Sequence, residues 1–152
     1  MIRLAVICAG EHARACHGPA LRAFQAAHPD AVELAGVCDL NRERAEAFAR
    51  DFGFARAHRS IEAMLQRESP DALLALTPVP LTEKIVAELL PRRLPLLIEK
   101  PPGHTSQATR RLIQVAERYG TPHMISFNRR FSPALAHARP GVPVQCEVEV
   151  QS

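Results

Sequence analysis

The stretch Leu4-Ala5-Val6-Ile7-Cys8-Ala9-Gly10-Glu11-His12-Ala13 joins an unbroken apolar run to a glycine and a polar turn. A short run with no polar member suits a strand buried on both faces, since neither face then offers a side chain to water. Gly10 marks the turn that ends it. Helical spacing begins soon after, over Pro19 to His28, with Leu21 and Phe24 on one face. Strand, glycine turn and helix in this order form the first half of a βαβ unit.

The pattern recurs along the chain. Val32 to Cys38 is a second strand, closed by Asp39, and Asp71 to Leu76 a third, closed by Thr77-Pro78. Leu94 to Ile98 is followed by Glu99-Lys100-Pro101-Pro102-Gly103, and His123 to Phe127 by Asn128-Arg129-Arg130-Phe131. Between them lie helices over Arg42–Phe52, stopped by Gly53, over a segment capped by Ser60, over Leu81–Leu90, and over Thr105–Tyr119, stopped by Gly120. Serine caps and C-terminal glycines satisfy or turn away the unpaired backbone groups of helix ends. Strands alternating with helices of about 10–15 residues predict a parallel sheet. The expected fold is an α/β, doubly wound sheet of about six parallel strands with helices on both faces. Residues 1–131 form this domain. Pro133, Pro140, Gly141 and Pro143 make 132–143 a linker, and Val144 to Val150 alternates like a half-buried strand.

Composition bounds the function. The chain has 152 residues, 47% hydrophobic and 23% charged, which suits one globular domain. Net charge is +3 and the arginines are scattered, so no basic stripe predicts nucleic-acid binding. No apolar run approaches the ~20 residues of a membrane span, and no signal peptide is visible. The four cysteines form no C-x-x-C pair; Cys8 and Cys38 read as small buried hydrophobes, and a reducing, cytoplasmic location is expected. The histidines show no metal-ligand spacing, so no metal is expected.

Ligands of doubly wound sheets bind beyond the carboxyl ends of the strands. Ala9-Gly10-Glu11-His12-Ala13 occupies the first such end. A dinucleotide turn wants G-x-G-x-x-G or G-x-G-x-x-A, with backbone close to the pyrophosphate and helix N–H groups aimed at it. Gly10 and Ala13 fit, whereas Cys8 stands at the first glycine; the bland alternative is a simple turn. Asp39, with its neighbour Leu40, ends the second strand. A carboxylate there accepts the ribose hydroxyls of NAD and repels a 2′-phosphate, while Arg42 and Arg44 leave NADP open. The alternative role for Asp39 is to cap the helix near Arg42. Lys100 is one of only two lysines, Lys84 being the other, and lysine is a usable proton donor where arginine is not. Its alternative is a surface ion pair.

Taken together, these segments resemble the N-terminal half of the Gfo/Idh/MocA oxidoreductases. Gly10, the segment His17-Gly18-Pro19-Ala20-Leu21, Asp39, Thr77-Pro78, Glu99-Lys100-Pro101 and Asn128-Arg129-Arg130-Phe131 carry the resemblance over residues 1–131. It implies a Rossmann domain, a nicotinamide cofactor, and hydride chemistry on a sugar, polyol or related hydroxy or carbonyl compound. It also implies that Thr77 and Pro78 contact the cofactor, that Glu99 and Lys100 lie beside the nicotinamide, and that Lys100 assists proton transfer. Three local departures accompany it: Cys8, a His17 one residue late, and no histidine in Val79-Pro80-Leu81-Thr82. The family's substrate domain has no counterpart here, so the chain is expected to lack turnover alone. A non-catalytic dinucleotide-binding or interaction module is the alternative. The strand over 144–151, without a partner in its own sequence, is expected either to be disordered or to pair with the same segment of a second copy as a homodimer.

Overall fold

The computed structural model describes residues 1–132. Six strands, β1 (Ile2–Ile7), β2 (Val32–Cys38), β3 (Arg56–His58), β4 (Ala72–Ala75), β5 (Leu96–Ile98) and β6 (His123–Ile125), form one sheet. Every pairing is parallel and the order is β3-β2-β1-β4-β5-β6. The helices are α1 (Gly18–Ala27), α2 (Arg42–Phe52), α3 (Ile61–Glu68), α4 (Val79–Leu89) and α5 (Ser106–Tyr119). This is the expected doubly wound sheet, with the strand order of dinucleotide-binding domains.

Side chains of β1 alternate between two cores, as the pleat requires. Ala5 and Ile7 pack with Met64 of α3, Val86 of α4 and Leu112 of α5. Leu4 and Val6 pack with Phe48 and Ala49 of α2 on the opposite face. Both faces are therefore covered at the sheet centre. Several helix ends follow the sequence signals: Ser60 and Thr105 accept from backbone N–H groups at the starts of α3 and α5, and Gly53 and Gly120 end α2 and α5 at φ 82° and 63°.

Three features depart from expectation. β3 has no apolar run, because Arg56-Ala57-His58 is a short edge strand paired only to Gly36–Cys38. The first helical segment begins well before Pro19, through a π-turn at Ala13–His17. Asn41, not Asp39, caps α2. The linker and alternating strand expected over 132–152 fall, Ser132 excepted, outside the described residues, as does the proposed pairing of two copies. No described helix is long and apolar enough to cross a membrane.

Candidate functional site

The neighbours β1 and β4 send their chains to opposite faces of the sheet, which opens a crevice beyond their carboxyl ends. Gly10, Glu11, His12 and Ala13 line it from the first connection, Leu76 to Val79 from the second, and Glu99 and Lys100 from the end of β5. The cleft encloses about 330 Å³. Eight of the residues singled out in the sequence thus meet in one place: Gly10, Glu11, His12, Ala13, Thr77, Pro78, Glu99 and Lys100. Ala9 is buried just behind the glycine turn, and Asp39 lies behind Ala9.

The turn shows how this chain manages without the first glycine. Cys8 adopts φ 73°, the left-handed conformation that a glycine takes without strain. Its amide donates to the Cys38 carbonyl at 2.7 Å, tying the turn to β2. A Cβ added at Gly10 would meet no protein atom within 4 Å, so that position faces open cleft. The first N–H groups of the following helix have no intrahelical acceptor and point outward at its start. An open glycine beside helix N–H donors suits the close approach of a pyrophosphate.

Asp39 is only 8% exposed. Its Oδ2 accepts from Ala9 N at 2.9 Å and its Oδ1 from Asn41 N at 2.9 Å. Each oxygen keeps a lone pair for a ligand, so the carboxylate both shapes the glycine turn and remains able to accept hydroxyls. Leu40 beside it is 80% exposed, an apolar surface at the mouth of β2. Of the two nearby arginines, Arg44 approaches Asp39 at 3.9 Å, and Arg42 is held by Glu46 at 2.7 Å.

Thr77 is buried and its hydroxyl meets that of Thr82 at 2.9 Å. Thr82 also donates to the Pro78 carbonyl at 3.2 Å. The helix residue without a histidine counterpart therefore pins the Thr77-Pro78 loop.

Glu99 is buried, and it does not pair with Lys100. Its Oε1 lies 2.8 Å from His17 Nε2 and 3.4 Å from His12 Nε2, while its Oε2 accepts from Lys100 N at 3.0 Å. Burial pushes the Glu99 carboxyl up, but hydrogen bonds from His17 and Ser126 and the two imidazoles outweigh it and leave it below the usual range. The surface ion pair considered for Lys100 is thus not formed with Glu99; its side chain is exposed. A second cavity of about 300 Å³ lies on its other side, lined by Lys100 and residues 126–130. Asn128, Arg129 and Arg130 of the short 3₁₀ turn Asn128–Phe131 belong to that wall. The Lys100–Pro101 peptide bond is cis.

The late position of His17 has a structural answer. The π-turn bonds Gly18 N to Ala13 O, five residues back, and so absorbs one extra residue. On an α-helix His12 and His17 would be rotated about 140° apart. Here both reach Glu99, with ring centroids 5.5 Å apart. The sequence displays no such grouping, because the phase of a helix can be read from spacing only while the helix is regular.

Cys8 and Cys38 are free thiols. Burial, aided by the Asp39 charge, pushes Cys8 up to about 12 and Cys38 up to about 11.

A doubly wound sheet with an open glycine turn, an acid ending β2 and a lysine at the switch-point cleft defines a dinucleotide-binding domain. The chain belongs to the GFO_IDH_MocA family, an oxidoreductase family with an NAD-binding Rossmann fold, which it matches over residues 2–127. It is 30% identical over 106 residues to D-apiose dehydrogenase of Paraburkholderia graminis, covering 70% of this chain and 28% of that protein. It is 29% identical over 109 residues to inositol 2-dehydrogenase of Corynebacterium glutamicum, covering 71% of this chain and 32% of that one. Among solved structures, the WlbA dehydrogenase of Bordetella pertussis, in complex with NADH and UDP-GlcNAcA, superposes with a TM-score of 0.76 at 25% identity over 89% of this chain and 39% of its own. The 3-ketoreductase KijD10 of Actinomadura kijaniata, in complex with NADP and TDP-benzene, gives 0.74 at 26% identity over 87% of this chain and 39% of its own. The chain therefore spans about a third of these relatives' length.

Proposed function

We propose that this domain binds NAD(H) in the switch-point cleft and serves hydride transfer on a sugar, polyol or related hydroxy compound in the complete protein. The observation that carries the reading is the convergence of Gly10, Thr77 and Glu99-Lys100 on one cleft from three separate strand ends. Gly10 to Ala13 would hold the pyrophosphate, Asp39 the ribose hydroxyls, and Leu40 would give the adenine an apolar surface. Thr77 and Pro78 would close the cleft opposite. A bound nicotinamide supplies the hydride acceptor or donor. Lys100 lines both that cleft and the cavity beside Asn128–Arg130, where its ammonium would give, or its neutral amine take, the proton at the substrate oxygen. Glu99 holds the Lys100 backbone in place through its Oε2. The substrate class rests on the sugar and inositol relatives alone.

NAD(H) is favoured over NADP(H), because the buried Asp39 carboxylate would face a 2′-phosphate. Calorimetric titration of the chain with both cofactors tests this. The expected result is saturable NADH binding, weaker for NADPH, with the NADPH deficit relieved in Asp39→Asn. Tighter NADPH binding to the unaltered chain would show that Asp39 does not face the ribose.

A further inference from the structure

We propose that His12, His17 and Glu99 form a binding site for a divalent transition metal of the zinc type. One ligand atom from each, a ring nitrogen of either histidine and a carboxylate oxygen, all lie within 4.8 Å of one another. Two imidazoles and a carboxylate are a donor set that zinc takes with a fourth position left open. At metal–ligand distances of about 2.0–2.2 Å, tetrahedral ligand atoms stand roughly 3.3–3.6 Å apart. Glu99 Oε1 is 3.4 Å from His12, within that range, and 2.8 Å from His17, a hydrogen bond that must open by about 0.5 Å to admit an ion. The third edge, between the histidines, closes by rotation of His12, whose side chain is 50% exposed.

The arrangement is preorganised by separate parts of the fold. His17 and Glu99 are 16% and 8% exposed, fixed by the π-turn and the end of β5. The second carboxylate oxygen is anchored by Lys100 N, as outer-shell bonds orient a metal-binding carboxylate. Both Nε2 atoms converge on one oxygen, where a cation would replace two N–H hydrogens at a single point. His12 and Glu99 also line the cleft, which gives an ion access from solvent. The site shares His12 and Glu99 with the cleft proposed for the dinucleotide, but its test is made without a nucleotide, so the two readings can fail separately.

The test is titration of the full chain with Zn²⁺ in competition with a chromophoric chelator, and with Co²⁺ as a spectroscopic probe. One Zn²⁺ per chain is expected, with the visible Co²⁺ bands of a four- or five-coordinate site and no thiolate charge-transfer band. His12→Ala, an exposed and structurally mild change, should weaken Zn²⁺ at least about tenfold, because loss of even an outer-shell partner costs that much. Cys16→Ser, which removes the exposed neighbouring thiol, should leave binding unchanged. The proposal is overturned if the chain shows no stoichiometric binding, if His12→Ala binds as tightly as the parent, or if Cys16→Ser abolishes binding. A circular-dichroism spectrum matching the parent's shows that each variant remains folded.

Discussion

Residue 8 shows how a departure from a motif can be absorbed by the backbone. A dinucleotide turn needs a left-handed residue there, and Cys8 adopts that conformation at φ 73°. The left-handed region costs a non-glycine residue about 1–2 kcal/mol. Cys8→Gly should therefore be more stable than Cys8→Ala by about 1 kcal/mol, reversing the usual order in which alanine is favoured through unfolded-state entropy. Thermal unfolding of the two variants decides; alanine ahead of glycine would mean that the turn carries no strain. The thiols give a second test. In a Cys146→Ser background at about pH 8, a thiol reagent should label exposed Cys16 first. Cys8 and Cys38 should label slowly and speed up as pH rises, because the thiolate is the reactive form and burial holds both at about 12 and about 11. Labelling of Cys8 and Cys38 as fast as that of Cys16 would contradict their shielding.

Among the elements, α3 and β3 are joined by a residue that the sequence did not single out. Glu68 is 1% exposed and receives His58 Nε2 at 2.8 Å and Arg56 Nη1 at 2.9 Å, with Arg3 Nη2 at 3.8 Å. It links the end of α3 to β1 and β3. Glu68→Gln should lower stability by about 2 kcal/mol, the usual worth of hydrogen bonds to a charged group, as measured by denaturant unfolding. A loss below about 0.5 kcal/mol would place these contacts with ordinary surface pairs. The π-turn makes a complementary prediction. It takes up one residue, so deletion of exposed Ala15 should give a regular helix with His12 and His17 four apart and still on one face. The deletion variant should melt no lower than the parent, whereas a sharp fall in melting temperature would show that the π-turn is required for packing.

What was legible, and what was not, separates along physical lines. Mostly apolar runs at Leu4–Cys8, Val32–Cys38 and Asp71–Leu76 disclosed central strands, because a strand buried on both faces leaves little room for polar side chains. Arg56-Ala57-His58 escaped notice because an edge strand, paired on one side, carries no such mark. Gly10, Thr77 and Glu99-Lys100 could be placed in one cleft because each follows a central strand, and parallel strands end at the same side. The partners of Glu99 could not, since the π-turn changes the helical phase between His12 and His17. Nor could the dual use of Asp39, whose bond to Ala9 N depends on the register between β1 and β2.

For the molecule as a whole, the central claim is that strand ends gathered at the switch point form a nicotinamide dinucleotide site. Mapping backbone amide chemical shifts during a titration with NADH tests it most directly. The amides of Gly10, Glu11, His12, Ala13 and Thr77 should move together and saturate with one affinity, while those of β6 at the far edge of the sheet stay in place. Shifts confined to other surfaces, or no saturable shift with either NADH or NADPH, would contradict the account.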